Sequence, residues 1–387
     1  MRVYLDNNAT APFRSEAKAA MLAALEATGN AQSIHQEGRR ARGRIEAARR
    51  QVARLVDCDE RELIFTSGGS EANALALRGA IHGAAEVGER FTRLVVSAIE
   101  HDSVLANAAQ CEAMHAGLRV VVCPVTSDGV VDLVELRRRL REGKGRALVS
   151  IMAANNETGV VQPITDVVTE AKEVGAFVHC DAVQAAGKLP FSFAKLGLDY
   201  ATISGHKIGG AQGVGAVVVR AGAPLTRQIA GGGQERGLRA GTENVAAIAS
   251  FGAAAESALR DLDRIGNVCR VRENGEQKLS ELCSDAVIFG ARVERLANTI
   301  CIAAPGINAE TLVVALDLDG FAVSAGAACS SGKVRQSHVL AAMGVEPSFA
   351  QNAIRVSFGP TTTVEELNAF AEAWGRILRR AQSRAAA

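Results

Sequence analysis

Aromatic residues are scarce, making up 4% of the 387 residues with a single Trp. So little aromatic surface argues against a stacking platform for nucleic-acid bases. An excess of one charge is also missing. Lys and Arg number 43 against 42 Asp and Glu, so no global field draws the chain to nucleic acid or to an anionic membrane. No apolar run approaches the ~20 residues that span a bilayer. The opening Met1-Arg2-Val3-Tyr4-Leu5-Asp6 lacks the apolar stretch of a signal peptide. The eight cysteines (58, 111, 123, 180, 269, 283, 301 and 329) are scattered and form no C-x-x-C pair. That spacing excludes a disulfide framework and a zinc knuckle. Together these absences predict a metal-free protein of a reducing cytoplasm.

What is present is a globular composition. Hydrophobic residues reach 48% and charged residues 22%, and the length allows two or three domains. β-Branched apolar runs at 61–65, 93–98, 118–123, 146–152, 177–180, 200–204 and 215–220 alternate with helical patterns at 70–86, 101–116, 132–141 and 165–174. Strand–helix alternation with near-continuous apolar strands predicts an α/β fold: a mostly parallel sheet covered by helices on both faces. A long Ala-rich helical pattern then runs from Thr242 to Leu282. Short strands (299–303, 354–358) and helices (309–317, 337–343, 364–379) after it predict a smaller α+β domain. The predicted division is 16–256 for the large domain and 1–15 with 257–387 for the small one. Seven arginines between Arg39 and Arg54 read as a solvated helix face.

Three segments carry chemistry. Phe65-Thr66-Ser67-Gly68-Gly69-Ser70-Glu71-Ala72-Asn73 sets glycines and hydroxyls between a strand and a helix, where free N–H groups bind phosphate. Ser70 there also reads as a plain N-cap. Val178-His179-Cys180-Asp181-Ala182-Val183-Gln184 sets an Asp at a strand's C-terminal end, where ligands sit in open α/β sheets. Ser204-Gly205-His206-Lys207 follows the next strand. A lysine there can form a Schiff base, and an Asp can pair with a protonated pyridine nitrogen. Taken singly, Asp181 is better explained as a helix N-cap and Lys207 as an ordinary loop lysine. Taken together, the three segments are the parts of a pyridoxal-phosphate (PLP) site.

With these motifs the chain resembles the NifS/IscS-type cysteine desulfurases, PLP enzymes of the class V aminotransferase-like family. Tyr4-Leu5-Asp6-Asn7-Asn8-Ala9-Thr10 is similar to the family's opening motif, and Asn156-Glu157-Thr158-Gly159 also matches. So do Gly231-Gly232-Gly233-Gln234-Glu235-Arg236, Gly241-Thr242-Glu243-Asn244 and Ser324-Ala325-Gly326-Ala327-Ala328-Cys329-Ser330-Ser331-Gly332. The resemblance implies the aspartate aminotransferase-like fold, fold type I. It implies that L-cysteine is converted to L-alanine and that Cys329 takes the sulfur as a persulfide. The sulfur then passes to an acceptor or iron–sulfur scaffold protein, in cluster assembly and, by the form of two motifs, in nitrogen fixation.

The resemblance also implies roles. Lys207 carries PLP and moves protons. Asp181 keeps the pyridine nitrogen protonated, and Gln184 binds the phenolic oxygen. His101 stacks on the ring and shuttles protons; on its own it reads as a core or capping histidine. Gly69, Ser70, Ser204 and His206 bind phosphate. Thr242 does so from the neighbouring subunit, which implies a homodimer with composite sites. Asn156 and Arg355 hold the substrate carboxylate, which suits the planar fork of Arg. Small residues around Cys329, from Ala322 onward, predict a mobile loop over about 322–335. Cys180, beside Asp181, is expected to be buried and inert.

The chain departs from the family pattern at three places. Gly29-Asn30-Ala31-Gln32-Ser33 stands where Gly-Asn-Pro-Ser-Ser is usual. Ser70 replaces a more frequent Thr, and Ala325-Gly326-Ala327 replaces Ser-Gly-Ser. Three other functions are weighed beside the first. Selenocysteine lyase, or the second loop class of desulfurase, lacks support because its Arg-x-Gly-His context is absent around Cys329. A plain PLP aminotransferase would make Cys329 incidental. A scaffold or sulfur carrier would not need Lys207 and Asp181.

Overall fold

The computed structural model describes residues 2–325 and 336–385. Its centre is a seven-stranded sheet built from β1 (Leu63–Thr66), β2 (Phe91–Ser97), β3 (Arg119–Cys123), β4 (Arg146–Ser150), β5 (Phe177–Asp181), β6 (Tyr200–Ser204) and β7 (Gly215–Val219). The strand order is β1-β7-β6-β5-β4-β2-β3. β7 runs antiparallel to both neighbours, and the remaining pairs are parallel. Strands such as Tyr200–Ser204 and Leu63–Thr66 are buried along their whole length. A sheet sandwiched between helix layers leaves no water-facing side, so its strands lose the apolar–polar alternation.

The helix layers follow from small and apolar stripes. α1 (Ser15–Leu25) and α2 (Gln36–Val56) lie on one face. α2 buries Ala41, Ile45, Ala48, Val52 and Val56, which share one side at helical spacing. It packs on α5 (Val245–Asp261) so closely that a Cβ on Gly252 would come within 2.6 Å of Ala48 Cα. On the opposite face, α3 (Gly69–Ala74) continues through a wide π turn at Leu75–Gly79 into Ala80–Glu86, beside α4 (Asp102–Met114).

Two corrections concern helices. The pattern from Thr242 to Leu282 is two helices, α5 and α6 (Ile265–Leu282), joined by a tight turn at Leu262–Arg264. The arginine run on α2 is not wholly a solvated face. Arg49 points inward with its side chain 5% exposed and pairs with Glu235.

The second layer system has its own apolar core, centred on Leu5, Ile300, Leu312, Val356, Phe370 and Trp374. Its antiparallel sheet comprises β8 (Val287–Ile288), β9 (Thr299–Ala303), β10 (Ser324–Ala325) and β11 (Ile354–Ser357), in the order β10-β11-β9-β8. The N-terminal segment crosses to this part: Val3–Tyr4 pairs with Phe321–Ala322, and Asn7 N–H donates to Ser357 O at 2.8 Å. No helix among the described residues is long and apolar enough to cross a membrane.

Candidate active site

A cavity of about 360 Å³ opens where the two parts meet. Asp181 and Ser204 come from the C-terminal ends of β5 and β6, and Gly69 and Ser70 from the start of α3. His101 follows β2, Asn156 follows β4, and Arg355 reaches in from β11. Asn8 and Ala9 of the N-terminal segment close one side. Placement at the carboxyl ends of parallel strands is the general ligand position of open α/β sheets.

The floor is a chain of buried hydrogen bonds. Asp181 Oδ2 accepts from Asn73 Nδ2 at 2.8 Å, and Oδ1 accepts from Val183 N at 3.0 Å. Asn73 Nδ2 also donates to Ser103 Oγ at 2.9 Å, while its Oδ1 accepts from Thr202 Oγ1 at 2.6 Å. Beneath lies His179, 2.8 Å from Ser150 Oγ. Burial pushes its pKa down to about 4, so it is a neutral ring at physiological pH. Asp181 is thus fixed in place by neutral donors, and it lines the cavity.

Lys207 Nζ donates to Asn8 O at 2.6 Å and Ala9 O at 3.0 Å. Burial, then repulsion from Arg355, lowers its pKa to about 8, against the pull of Asp181 and Asp6. A neutral, nucleophilic amine is therefore available near physiological pH. His206 stands 3.2 Å from Thr10 Oγ1, and burial with the nearby Lys207 and Lys188 lowers its pKa to about 4. Ser204 Oγ is buried without a hydrogen-bond partner among the described residues.

Arg355 is 2% exposed. Its Nη1 donates to Asn156 O at 2.9 Å and its Nη2 to Asp6 Oδ1 at 2.8 Å. Each Nη nitrogen keeps a second hydrogen, and the side chain lines the cavity. His101 does two things at once. Its Nδ1 accepts from Ser103 N at 3.1 Å and caps α4, yet the ring also lines the cavity. The cap makes Nδ1 an acceptor, so in the neutral ring the proton sits on Nε2.

The structure brings Gly69, Ser70, His101, Asn156, Asp181, Gln184, Ser204, His206, Lys207 and Arg355 into this one cavity. Thr242 is not among them. It lines a separate cavity with Thr66, Ser67, Arg239 and Glu243. Cys329, and residues 326–335 of the loop expected over 322–335, lie outside the described residues. The start of that stretch is no free loop: Ala322 pairs with Tyr4, and Ser324–Ala325 is β10, held by its ladder to β11. Cys180 is fully buried, and desolvation followed by the charges of Asp181 and Glu100 pushes its thiol well up, which makes it inert. Burial likewise raises Cys111 to about 11 and Cys58 and Cys123 to about 12. No group of three or more metal-ligating side chains occurs among the described residues.

Several neighbours were not singled out by sequence. Asn73 lies inside the glycine motif, but nothing local marks it as the partner of Asp181. Glu100, next to His101, is fully buried with Oε1 accepting from Met152 N at 2.8 Å, and burial raises its pKa. Glu157 takes a 2.6 Å hydrogen bond from Ser337, and His338 Nε2 lies 2.9 Å from Glu100 O. These two contacts tie the chain just beyond residue 335 to the walls that carry Asn156 and His101.

Comparison with known proteins agrees with this arrangement. The aminotransferase class-V family model matches residues 3–370. The cysteine desulfurase IscS of Dictyoglomus turgidum is 39% identical over 380 residues, covering 98% of this chain and 95% of that protein. A cysteine desulfurase of Cereibacter sphaeroides is 42% identical over 373 residues, covering 96% and 94%. The solved NifS-like protein of Rickettsia africae superposes with a TM-score of 0.88 at 35% identity, covering 97% of this chain and 99% of that one. The chain belongs to the class-V aminotransferase family, among its NifS/IscS-type cysteine desulfurases. It has the aspartate aminotransferase-like fold, and its cofactor is PLP.

The residues present fit that cofactor. Ser204 Oγ is a buried hydroxyl without a partner among the described residues, as a phosphate ligand would be before it is engaged. Gly69 leaves room beside it: a Cβ there would lie 3.1 Å from Val183 Cγ2 and 3.4 Å from Ser204 Cβ. Gly69 and Ser70, at the start of α3, line the same space, and a helix start leaves N–H groups without partners in the helix. Asp181 offers a carboxylate to a ring nitrogen, and Lys207 an amine to an aldehyde.

Proposed function

We propose that this chain desulfurates L-cysteine to L-alanine with Cys329 as sulfur acceptor, and that Lys207 and Asp181 serve the cofactor from the cavity described above. The observation that carries this reading is the pairing of Lys207, poised near pKa 8, with Asp181 across one cavity. Residues 16–256 form the cofactor-binding domain, and 1–15 with 257–387 the smaller one. Two separate apolar cores support that division.

When bound, PLP supplies the electron sink for negative charge at the substrate's Cα. The side chains do the rest. Gly69, Ser70, Ser204 and His206 hold the phosphate, with Ser204 donating its free hydroxyl. Asp181 keeps the proton on the ring nitrogen, held to that task by Asn73 and Val183 N. Gln184 donates to the phenolic oxygen. His101 would stack on the ring, its Nε2 carrying the proton. Asn156 and Arg355 take the substrate carboxylate through Arg355's remaining N–H groups. Lys207 removes the proton at Cα and returns it during turnover. The Cys329 thiolate attacks the substrate sulfur. A sulfur–sulfur bond forms, the carbon–sulfur bond breaks, and the electron pair stays with carbon, which is protonated to give alanine.

Thr242 completes a phosphate site in a second copy of the chain, so the working form is a homodimer. Its position in a separate cavity supports this. The persulfide passes to an acceptor or scaffold protein of iron–sulfur cluster assembly, with nitrogen fixation a destination. The compartment is the cytoplasm, a reading supported by the seven unpaired cysteines among the described residues.

Purified protein with L-cysteine and a thiol reductant should yield sulfide and alanine in equal amounts, and Cys329→Ala should yield neither. Alanine without sulfide, or a Cys329→Ala variant with full turnover, overturns the proposal.

A further inference from the structure

Lys188 does not line the cofactor cavity. It borders a second cavity behind it, with Arg14, Asn298, Phe358 and the far side of Lys207. Its amine nonetheless reaches toward the site. Nζ is 2.5 Å from Gln184 Oε1 and 2.8 Å from Asn8 Oδ1. On its other arm, Gln184 faces the carbonyl of Asn8 at 3.0 Å.

These contacts decide which way the Gln184 amide points. A backbone carbonyl can only accept, so the Gln184 atom facing Asn8 O is nitrogen. The oxygen therefore faces Lys188, which supplies the hydrogen. One N–H of Gln184 is used on Asn8 O, and the second is left for the cavity. Rotating the amide by 180° would set two oxygens against each other at Asn8 and two donors against each other at Lys188. We infer that Lys188 is a positioning residue that locks Gln184 as a hydrogen-bond donor toward the cofactor's phenolic oxygen.

The amide's direction holds whether or not the amine is charged: a charged amine cannot accept from a rotated amide, and with a neutral one Asn8 O still can only accept. Burial, with Lys207 and Arg355 nearby, holds the Lys188 pKa well below that of an ordinary lysine. A neutral amine still brings two N–H groups, one for Gln184 and one for Asn8. Asn8 is the hub of the arrangement, because its carbonyl also accepts from Lys207 Nζ at 2.6 Å. Lys188 thus anchors the segment on which both Lys207 and Gln184 rest.

The inference depends on Gln184 contacting the phenolic oxygen, and the experiment separates the two. The visible absorption band of the PLP-loaded protein and its dissociation constant for PLP are measured for the wild type, Lys188→Met, Gln184→Ala and the double variant. Both single variants should displace the band to the same position and weaken PLP retention about tenfold, the worth of one hydrogen bond. The double variant should go no further, because the two act through one contact. Lys188→Arg keeps a donor in place and should restore the wild-type band. A wild-type band and dissociation constant in Lys188→Met, with Gln184→Ala displaced, overturns the role of Lys188. Additive effects in the double variant overturn it as well. An unchanged Gln184→Ala overturns the reading of Gln184 itself. If Lys188→Met does not fold, Lys188→Gln is read in the same way, since its side chain is one atom shorter and no longer reaches Gln184.

Discussion

Arg49 grips Glu235 with both Nη nitrogens, each 2.8 Å from a carboxylate oxygen. The two side chains are 5% and 3% exposed. Glu235 and the adjacent Arg236 both have positive φ, 45° and 57°, which is strained for residues with a Cβ. The pair is tied further to β1, through Phe65 N on Glu235 and Leu63 O on Arg49. An arginine of α2 thereby fastens the segment that leads to Thr242. Arg49→Met leaves a carboxylate buried and unpaired, which costs about 3–5 kcal/mol. Denaturant unfolding should show that loss, and an Arg49→Met/Glu235→Gln double variant should recover part of it. An unchanged midpoint for Arg49→Met would contradict the account.

Ser204→Ala should act with opposite signs on two measurements. It removes a buried hydroxyl that has no partner among the described residues, so the cofactor-free protein loses nothing and gains up to ~1 kcal/mol. With cofactor, it loses a phosphate ligand, and PLP retention falls about tenfold. Thermal unfolding of both forms and equilibrium dialysis against PLP make the check. A cofactor-free Ser204→Ala that melts well below the wild type would show that the hydroxyl is satisfied after all.

Asn73 touches Asp181 but not the cavity's charge chemistry itself. Asn73→Ala removes the donor on Asp181 Oδ2 and leaves the hydroxyl of Thr202 with only His179 Nε2, 3.4 Å away. Loss of an orienting partner typically costs ten- to a hundredfold in activity. Alanine production should fall by about that factor while circular dichroism stays unchanged. Full activity in Asn73→Ala would remove Asn73 from the site.

Lys207 sets a pH dependence for cofactor loading. Only the neutral amine attacks an aldehyde. With the pKa lowered to about 8, the neutral fraction rises about tenfold per pH unit below 8 and levels off above it. The rate of PLP uptake by cofactor-free protein, followed by absorbance, should bend near pH 8. An ordinary lysine would keep rising to about pH 10.4, and that profile would contradict the lowered value. Lys207→Ala should show no such covalent phase.

Much of this was legible in the chain. Strands at 200–204 and 299–303 stand where apolar β-branched runs placed them, because burial on both faces leaves a strong compositional mark. The cavity residues at strand ends were readable for a related reason: a polar residue directly after an apolar strand has few places to go. What stayed hidden depends on distant partners. Arg49 looks like its six arginine neighbours, and only Glu235, 186 residues away, makes it a core residue. Glu100 and Lys188 are hidden in the same way, since burial of a charge is decided by packing and not by local pattern. α1 escaped notice because it buries only Ala17 and Ala24, too little to give an apolar period. The break at Leu262–Arg264 carries no Pro or Gly to announce it.

The clasp between Asp6 and Arg355 spans 349 residues of chain. A ribosome therefore makes Asp6 long before Arg355. The cavity wall that holds Lys207 through Asn8 is unfinished until β11 has been made. A chain cut short before β11 would carry Lys207 and Asp181 yet lack the wall that Arg355 completes.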